Sequence, residues 1–218
     1  MAADCVILLH GLGRSSLSMK PLQFALERDG YTVWNRGYPS TRRSVEDLAP
    51  VIDDAVAFCR ERGAARIHFV THSMGGILVR AYFQGRQLPE AGRVVMLAPP
   101  NRGSEIVDVY RERWWFRWAT GPAGQQLGTG AESLPNRLKP LPMEVGVIAG
   151  ARTSDPWFGK LFESRNDGKV SVDSAALPEM KEMAVVDSGH TFIMNSPAVI
   201  AQVRNFLRNG RFAASPTT

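Results

Sequence analysis

The sequence predicts an α/β protein: one mostly parallel sheet of about six strands with helices on both faces. Two observations carry this expectation. Short, continuous apolar runs recur along the chain without the polar alternation of a half-exposed strand. Strands of that kind are buried on both sides, so helices must lie above and below them. Between the runs lie longer segments whose apolar residues recur every three or four positions, which is the helical period. A length of 218 residues suits one domain with a sizeable core. That domain is placed at 1–211, with a frayed tail at 212–218.

The elements follow in order. Cys5-Val6-Ile7-Leu8-Leu9 is the first strand, bounded by His10-Gly11-Leu12-Gly13. Pro21 to Asp29 is a helix closed by Gly30, and Tyr31-Thr32-Val33-Trp34 is the second strand. Ser44 is placed to cap a helix from Val45 to about Arg62, ended by Gly63. Its apolar face is Leu48, Val51, Ile52, Ala55, Val56 and Cys59. Ile67-His68-Phe69-Val70 is the third strand, and a helix from about Gly75 to Arg86 follows it directly. Val94 to Ala98, Val145 to Ala149 and Met183 to Val186 complete the strands. Ser196-Pro197 opens a last helix to about Arg208, with proline where helices tolerate it best. One stretch, 101–142, breaks the alternation and reads as a cap or lid inserted above the sheet.

Composition excludes several classes. Hydrophobic residues at 44% and charged residues at 22% describe a soluble globular chain rather than a disordered one. No apolar run approaches the roughly 20 residues of a membrane helix. The N-terminus lacks the basic start and apolar stretch of a signal peptide, so the chain as written is expected in the cytoplasm. A mature or truncated form of a secreted protein would lack that signal too. The net charge is +5, but the basic residues are spread along the chain and no nucleic-acid motif accompanies them. Nucleic acid is therefore not an expected partner. Two cysteines, Cys5 and Cys59, make no disulfide framework and no zinc spacing; both are expected as buried free thiols.

The strongest chemical signal is Thr71-His72-Ser73-Met74-Gly75-Gly76, directly after the third strand. It matches the nucleophile elbow G-x-S-x-G with Thr71 in place of the first glycine. A sharp strand-to-helix turn projects the serine hydroxyl, and small neighbours let strand and helix approach. A serine that merely caps a helix is the alternative, and three companions weigh against it. First, His10-Gly11-Leu12-Gly13 ends the first strand with the glycines an open oxyanion loop needs. Leu12 N–H and Met74 N–H are the two candidate donors. A dinucleotide loop fails because Ser16 stands where the third glycine belongs. Second, His190 lies on a loop after the last strand, where a general base belongs. Of the other histidines, His68 is mid-strand, and His72, adjacent to Ser73, is expected to point away from it. Third, Asp167 precedes His190 and can orient it. Asp173 is its rival; Asp155 reads as a turn before Pro156, and Asp187 is too close in the chain to His190.

These four segments, in the order Ser, Asp, His, resemble those of the α/β-hydrolase superfamily. The similarity is to small bacterial lipase- and esterase-like, triacylglycerol-lipase-like acylhydrolases. It spans residues 10–190. The resemblance implies an α/β-hydrolase fold and a Ser73–His190–Asp167 triad cleaving carboxylic esters through an acyl-enzyme, with no metal and no cofactor. The chain departs at Thr71 and in lacking the two antiparallel strands with which the fold usually begins, which makes it a minimal version. Acyl transfer, or thioester or amide hydrolysis, on the same fold is an alternative, as is a silent binding module. The expected substrate is a small-molecule or lipid ester. Trp114, Trp115 and Trp118, interleaved with Arg113 and Arg117, suit a lid or substrate pocket at a lipid interface. The same residues could also form a helix simply packed on the core.

Overall fold

The computed structural model describes residues 3–153, 158 and 161–213. Six parallel strands form one open sheet in the order β2-β1-β3-β4-β5-β6. They are β1 (Cys5–Leu9), β2 (Thr32–Trp34), β3 (Ile67–His72), β4 (Ala91–Leu97), β5 (Val145–Gly150) and β6 (Glu182–Val186). The pairing is parallel throughout, with Leu9 beside Thr71 where β1 meets β3.

Alternating strand residues supply two cores, as a pleat buried on both faces requires. Ile7, Leu9, Phe69, Met96 and Val147 face one way, towards α3 (Val51–Glu61) and α4 (Met74–Tyr82). Val6, Leu8, Val70, Val95 and Ile148 face the other, towards α1 (Lys20–Arg28) and α9 (Pro197–Asn209). The chain starts in the middle of the sheet, runs out to β2, then crosses back to the other side of β1. At such a reversal the loops leaving neighbouring strands diverge, opening a crevice at their C-terminal ends. The loops after β1, β3, β5 and β6 all emerge on that edge, and they carry the candidate site.

Three expectations need correction. The helix from Val45 to Arg62 is two: Val45–Leu48 (α2) and α3. Pro50 has no N–H to continue the first ladder, so the chain restarts, with Ile52 N–H donating to Ala49 O. Ser44 does cap α2, accepting from Asp47 N–H at 3.1 Å. The helix after β3 ends at Tyr82 rather than Arg86, and Gly85, at φ 84°, turns the chain. Cys5 and Cys59 are not free thiols but form a disulfide between β1 and α3. A strand residue and a helix residue 54 apart meet only once the helix is laid on the sheet.

The stretch 101–142 carries three helices, Glu105–Tyr110 (α5), Trp114–Gln125 (α6) and Leu134–Arg137 (α7). Buried Arg80 on α4 ties it down, donating to the carbonyls of Asn101, Pro135 and Leu138. Its guanidinium needs these acceptors, because burial lowers its pKa to about 10. A short helix, Val172–Ala175 (α8), follows β5. Phe212, assigned above to the tail, is buried against Phe206 with ring centroids 4.9 Å apart. Residues 214–218 lie outside the described ones.

Candidate active site

Ser73 sits between β3 and α4 at φ 51° and ψ −124°, a strained conformation for a residue with a side chain. Close packing explains why glycines surround it. A Cβ on Gly75 would lie 2.7 Å from Leu9 O, so only glycine lets α4 approach β1. A Cβ on Gly11 would lie 3.1 Å from Ser73 Cβ, so glycine lets the first loop pass beside the serine. Thr71 is accommodated where the motif usually has glycine. It is fully buried beside Gly76, and its hydroxyl has no hydrogen-bond partner among the described residues.

His190 opens a 3-10 turn after β6, and its Nε2 lies 3.0 Å from Ser73 Oγ. Its Nδ1 lies 2.8 Å from Asp167 Oδ2. A carboxylate only accepts, so Nδ1 carries the proton and Nε2 is left to accept from the serine hydroxyl. The remaining Asp167 oxygen accepts from Lys169 N–H at 2.9 Å and Val170 N–H at 2.8 Å. His190 N–H donates back to Asp167 O at 3.0 Å. Asp167 is thus buried with its acceptors filled. Asp173 is exposed on α8, and Asp187 is exposed and 3.9 Å from Arg152. Neither is among the partners of His190. Asp155 lies outside the described residues.

Leu12 N–H and Met74 N–H, the two candidate oxyanion donors, have no hydrogen-bond acceptor among the described residues. The loop bearing Leu12 is fixed by a pair not read from the sequence. Tyr38 stacks on His10 at 4.0 Å, and its hydroxyl donates to His10 O. Tyr38 N–H donates to His10 Nε2 at 3.2 Å. Burial pushes the Tyr38 phenol up and the His10 imidazole down, so both stay neutral.

His72 does not simply point away from the site. Its Nε2 donates to His190 O at 3.0 Å, and its ring is 5.0 Å from that of His190. Burial first, then the charges of His190, Arg14 and Lys169, hold its pKa well below the ordinary value. It is a neutral prop beneath the His190 loop. His68 is buried at the far end of β3, accepting from Arg93 N–H.

A cleft of about 410 Å³ opens over Ser73 and His190. Leu12 and His72 lie at its base, and Val107, Phe116 and Leu127 form an apolar wall from the insertion. Of the three tryptophans expected there, only Trp115 lines it. Trp114 and Trp118 turn outward and are 79% and 83% exposed. Helical spacing puts Trp114 and Trp118, four residues apart, on one outward side of α6 and turns Trp115 towards the cleft, a difference that composition does not reveal. Among the described residues, no cluster of side chains could hold a metal ion and no helix is long and apolar enough to cross a membrane.

Known proteins agree with this architecture. Residues 6–203 match the model of the alpha/beta hydrolase family. Among solved structures, a Bacillus licheniformis lipase, BlEst2, in mature form superposes with a TM-score of 0.80 at 18% identity, covering 97% of this chain and 93% of that one. A metagenomic carboxyl esterase, MGS0156, gives 0.68 at 20% identity, covering 87% and 65%. The esterase RhEst1 from a Rhodococcus species gives 0.62 at 15%, covering 95% and 91%. At these identities the likeness is one of fold. No curated protein matches the sequence significantly. The match over most of its length, on a six-stranded parallel sheet, makes this chain a member of the alpha/beta hydrolase family.

Proposed function

We propose that the protein is a serine hydrolase of carboxylic esters, of the esterase or lipase type. The observation that carries this reading is the hydrogen-bonded chain from Ser73 Oγ through His190 to Asp167, opening into an apolar cleft. Ser73 Oγ attacks the ester carbonyl carbon while His190 Nε2 takes its proton. The carbonyl oxygen becomes an oxyanion facing Leu12 N–H and Met74 N–H. Asp167 holds the imidazole and stabilises its charged form. The tetrahedral adduct collapses as His190 returns the proton to the leaving alcohol. Water then attacks the acyl-enzyme by the same route, giving the acid and free Ser73. The acyl chain lies along Val107, Phe116 and Leu127. Every step uses this chain's own residues.

The outward Trp114 and Trp118 favour a lipid-facing rim. They are large, amphipathic and unusually exposed for tryptophan, and Arg113 and Arg117 flank them. Initial rates on p-nitrophenyl butyrate, for the protein and for Ser73→Ala, test the core of the reading. The variant is expected to lose at least about 10⁴-fold. A loss under tenfold would rule Ser73 out as the nucleophile.

A further inference from the structure

A second cleft, of about 470 Å³, adjoins the first, and the two share Gly13 and Arg14 as lining residues. Their chemistry differs. The first is walled by Val107, Phe116 and Leu127, with Lys169 as its other basic residue besides Arg14. The second presents Ser15, Ser18 and Asn195 beside Leu17 and Phe192. Neither is lined by an aspartate or glutamate, whereas a third cleft, lined by the insertion and by residues between Leu161 and Ser174, has Glu105, Glu163 and Asp173 in its wall.

Arg14 stands at the junction. Its Nη2 donates to Thr191 O, one residue past His190, and its guanidinium lies 5.7 Å from the Phe192 ring centroid. These contacts hold the group in place but do not neutralise it. Arg60, Arg93 and Arg204 each pair with a carboxylate, while Arg14 has none among the described residues. A guanidinium has five N–H donors, and only one contact to a carbonyl is made here. A fixed cation with spare donors, between an apolar cleft and a hydroxyl-lined one, matches an anion attached to an apolar ester.

We propose that the second cleft is the leaving-group subsite and that Arg14 selects esters whose alcohol portion carries an anionic group, a carboxylate or a phosphate. This rests on the ester-hydrolase reading. The acyl chain occupies the Val107–Phe116 side, the scissile carbonyl lies at Ser73, and the alcohol extends over Gly13 to Arg14. Arg14 is a specificity residue in this scheme and takes no part in proton transfer.

The test compares matched esters with the full chain. 3-(Butyryloxy)benzoate and 3-(butyryloxy)benzamide share their acyl group and differ in one charge. Butyryl glycerol 3-phosphate and monobutyrin form the phosphate arm. Each kcat/KM is divided by the hydroxide-catalysed rate of the same ester. The expected anionic-to-neutral ratio is about fivefold to tenfold in at least one arm, as befits one partly screened charge-assisted contact. The arm with the larger ratio identifies the anion. Arg14→Gln should bring the ratio to about one, and Arg14→Glu should invert it. For the unaltered protein, raising the salt to about 1 M, where the screening length falls to roughly 3 Å, should shrink the ratio, a readout that needs no variant to fold. A ratio of one in both arms, or an Arg14→Gln loss shared equally by both esters of a pair, overturns the proposal. The equal loss would mean that Arg14 only holds Thr191. Turnover of no ester overturns the ester-hydrolase reading and this one with it; turnover without charge preference overturns this one alone.

Discussion

The two walls of the cleft are built on opposite principles. On the sheet side, Ser73, Asp167 and His190 are each less than 10% exposed; Ser73 Oγ, both His190 ring nitrogens and Asp167 Oδ2 pair across loops, and the other Asp167 oxygen accepts from its own turn. Glycines at 11 and 75 let those loops pack at distances that no side chain would permit. On the insertion side, α6 is broken at Gly121, where φ is 61°, and Pro122 follows. Trp114 and Trp118 stand in solvent beyond it. Over-determined geometry suits chemistry, because a reacting chain of three groups tolerates little misplacement. A wall whose rim stands in solvent suits the choice of substrate. The comparison therefore predicts that changes on the sheet side alter rate or stability for all substrates, and that changes on the insertion side alter which substrates are preferred.

After Ser73→Ala, the largest effect is expected at Asp167. Asp167→Asn should cut kcat by about 10³–10⁴-fold, because an amide cannot stabilise the imidazolium and can present the wrong hydrogen-bonding group. Asp173→Asn should stay within about twofold. A silent Asp167→Asn beside a dead Asp173→Asn would move the acid and break the comparison. Next comes the scaffold beneath. Linking residues 54 apart restricts the unfolded chain by about 4 kcal/mol in the loop-entropy model. The Cys5→Ala, Cys59→Ala double variant should lose about 4–15 °C in Tm. An unchanged Tm, with two thiols titrating in the unaltered protein, would show that no bridge forms. Gly75→Ala should cost about 1–3 kcal/mol, since its methyl meets Leu9 and His10 backbone and neither can step aside. Calorimetry measures it, and a neutral result would mean that α4 has slack. The smallest effect sharpens the other side. Trp114→Ser with Trp118→Ser should lower rates on p-nitrophenyl palmitate dispersions several-fold while leaving the acetate rate within about twofold. Equal losses would make this helix a packing element.

Much of the sheet side is legible from residues alone. Six apolar runs mark six strands; in the inner four, β1, β3, β4 and β5, burial on both faces removes the polar alternation, while the edge strands β2 and β6 are only partly buried. The elbow and the two loops carry local signatures, since glycine is required wherever backbones close on one another. Asp167 and Asp173 are harder to separate from residues alone. What separates them is a turn in which the Asp167 carboxylate accepts two N–H groups, and both sequences are compatible with turns. Pro50 marks a helix break, but the apolar spacing of Leu48, Val51 and Ile52 runs across it and masks it. Other features depend on contacts across the fold that no local pattern encodes: the Cys5–Cys59 bridge, Tyr38 clamping His10, His72 beneath His190, and Arg14 at the junction of two clefts. Among these, His72 had a trace in the sequence, since a histidine beside the elbow serine is bound to lie near the site.

The most direct measurement is mass-spectrometric mapping of the adduct formed with a fluorophosphonate, which reacts fastest with a serine activated by a neighbouring base. Stoichiometric modification of Ser73 is expected, slowed at least about 100-fold in His190→Ala and absent in Ser73→Ala. Modification of another serine, or none in a folded protein, would contradict the assignment of Ser73 as the activated nucleophile.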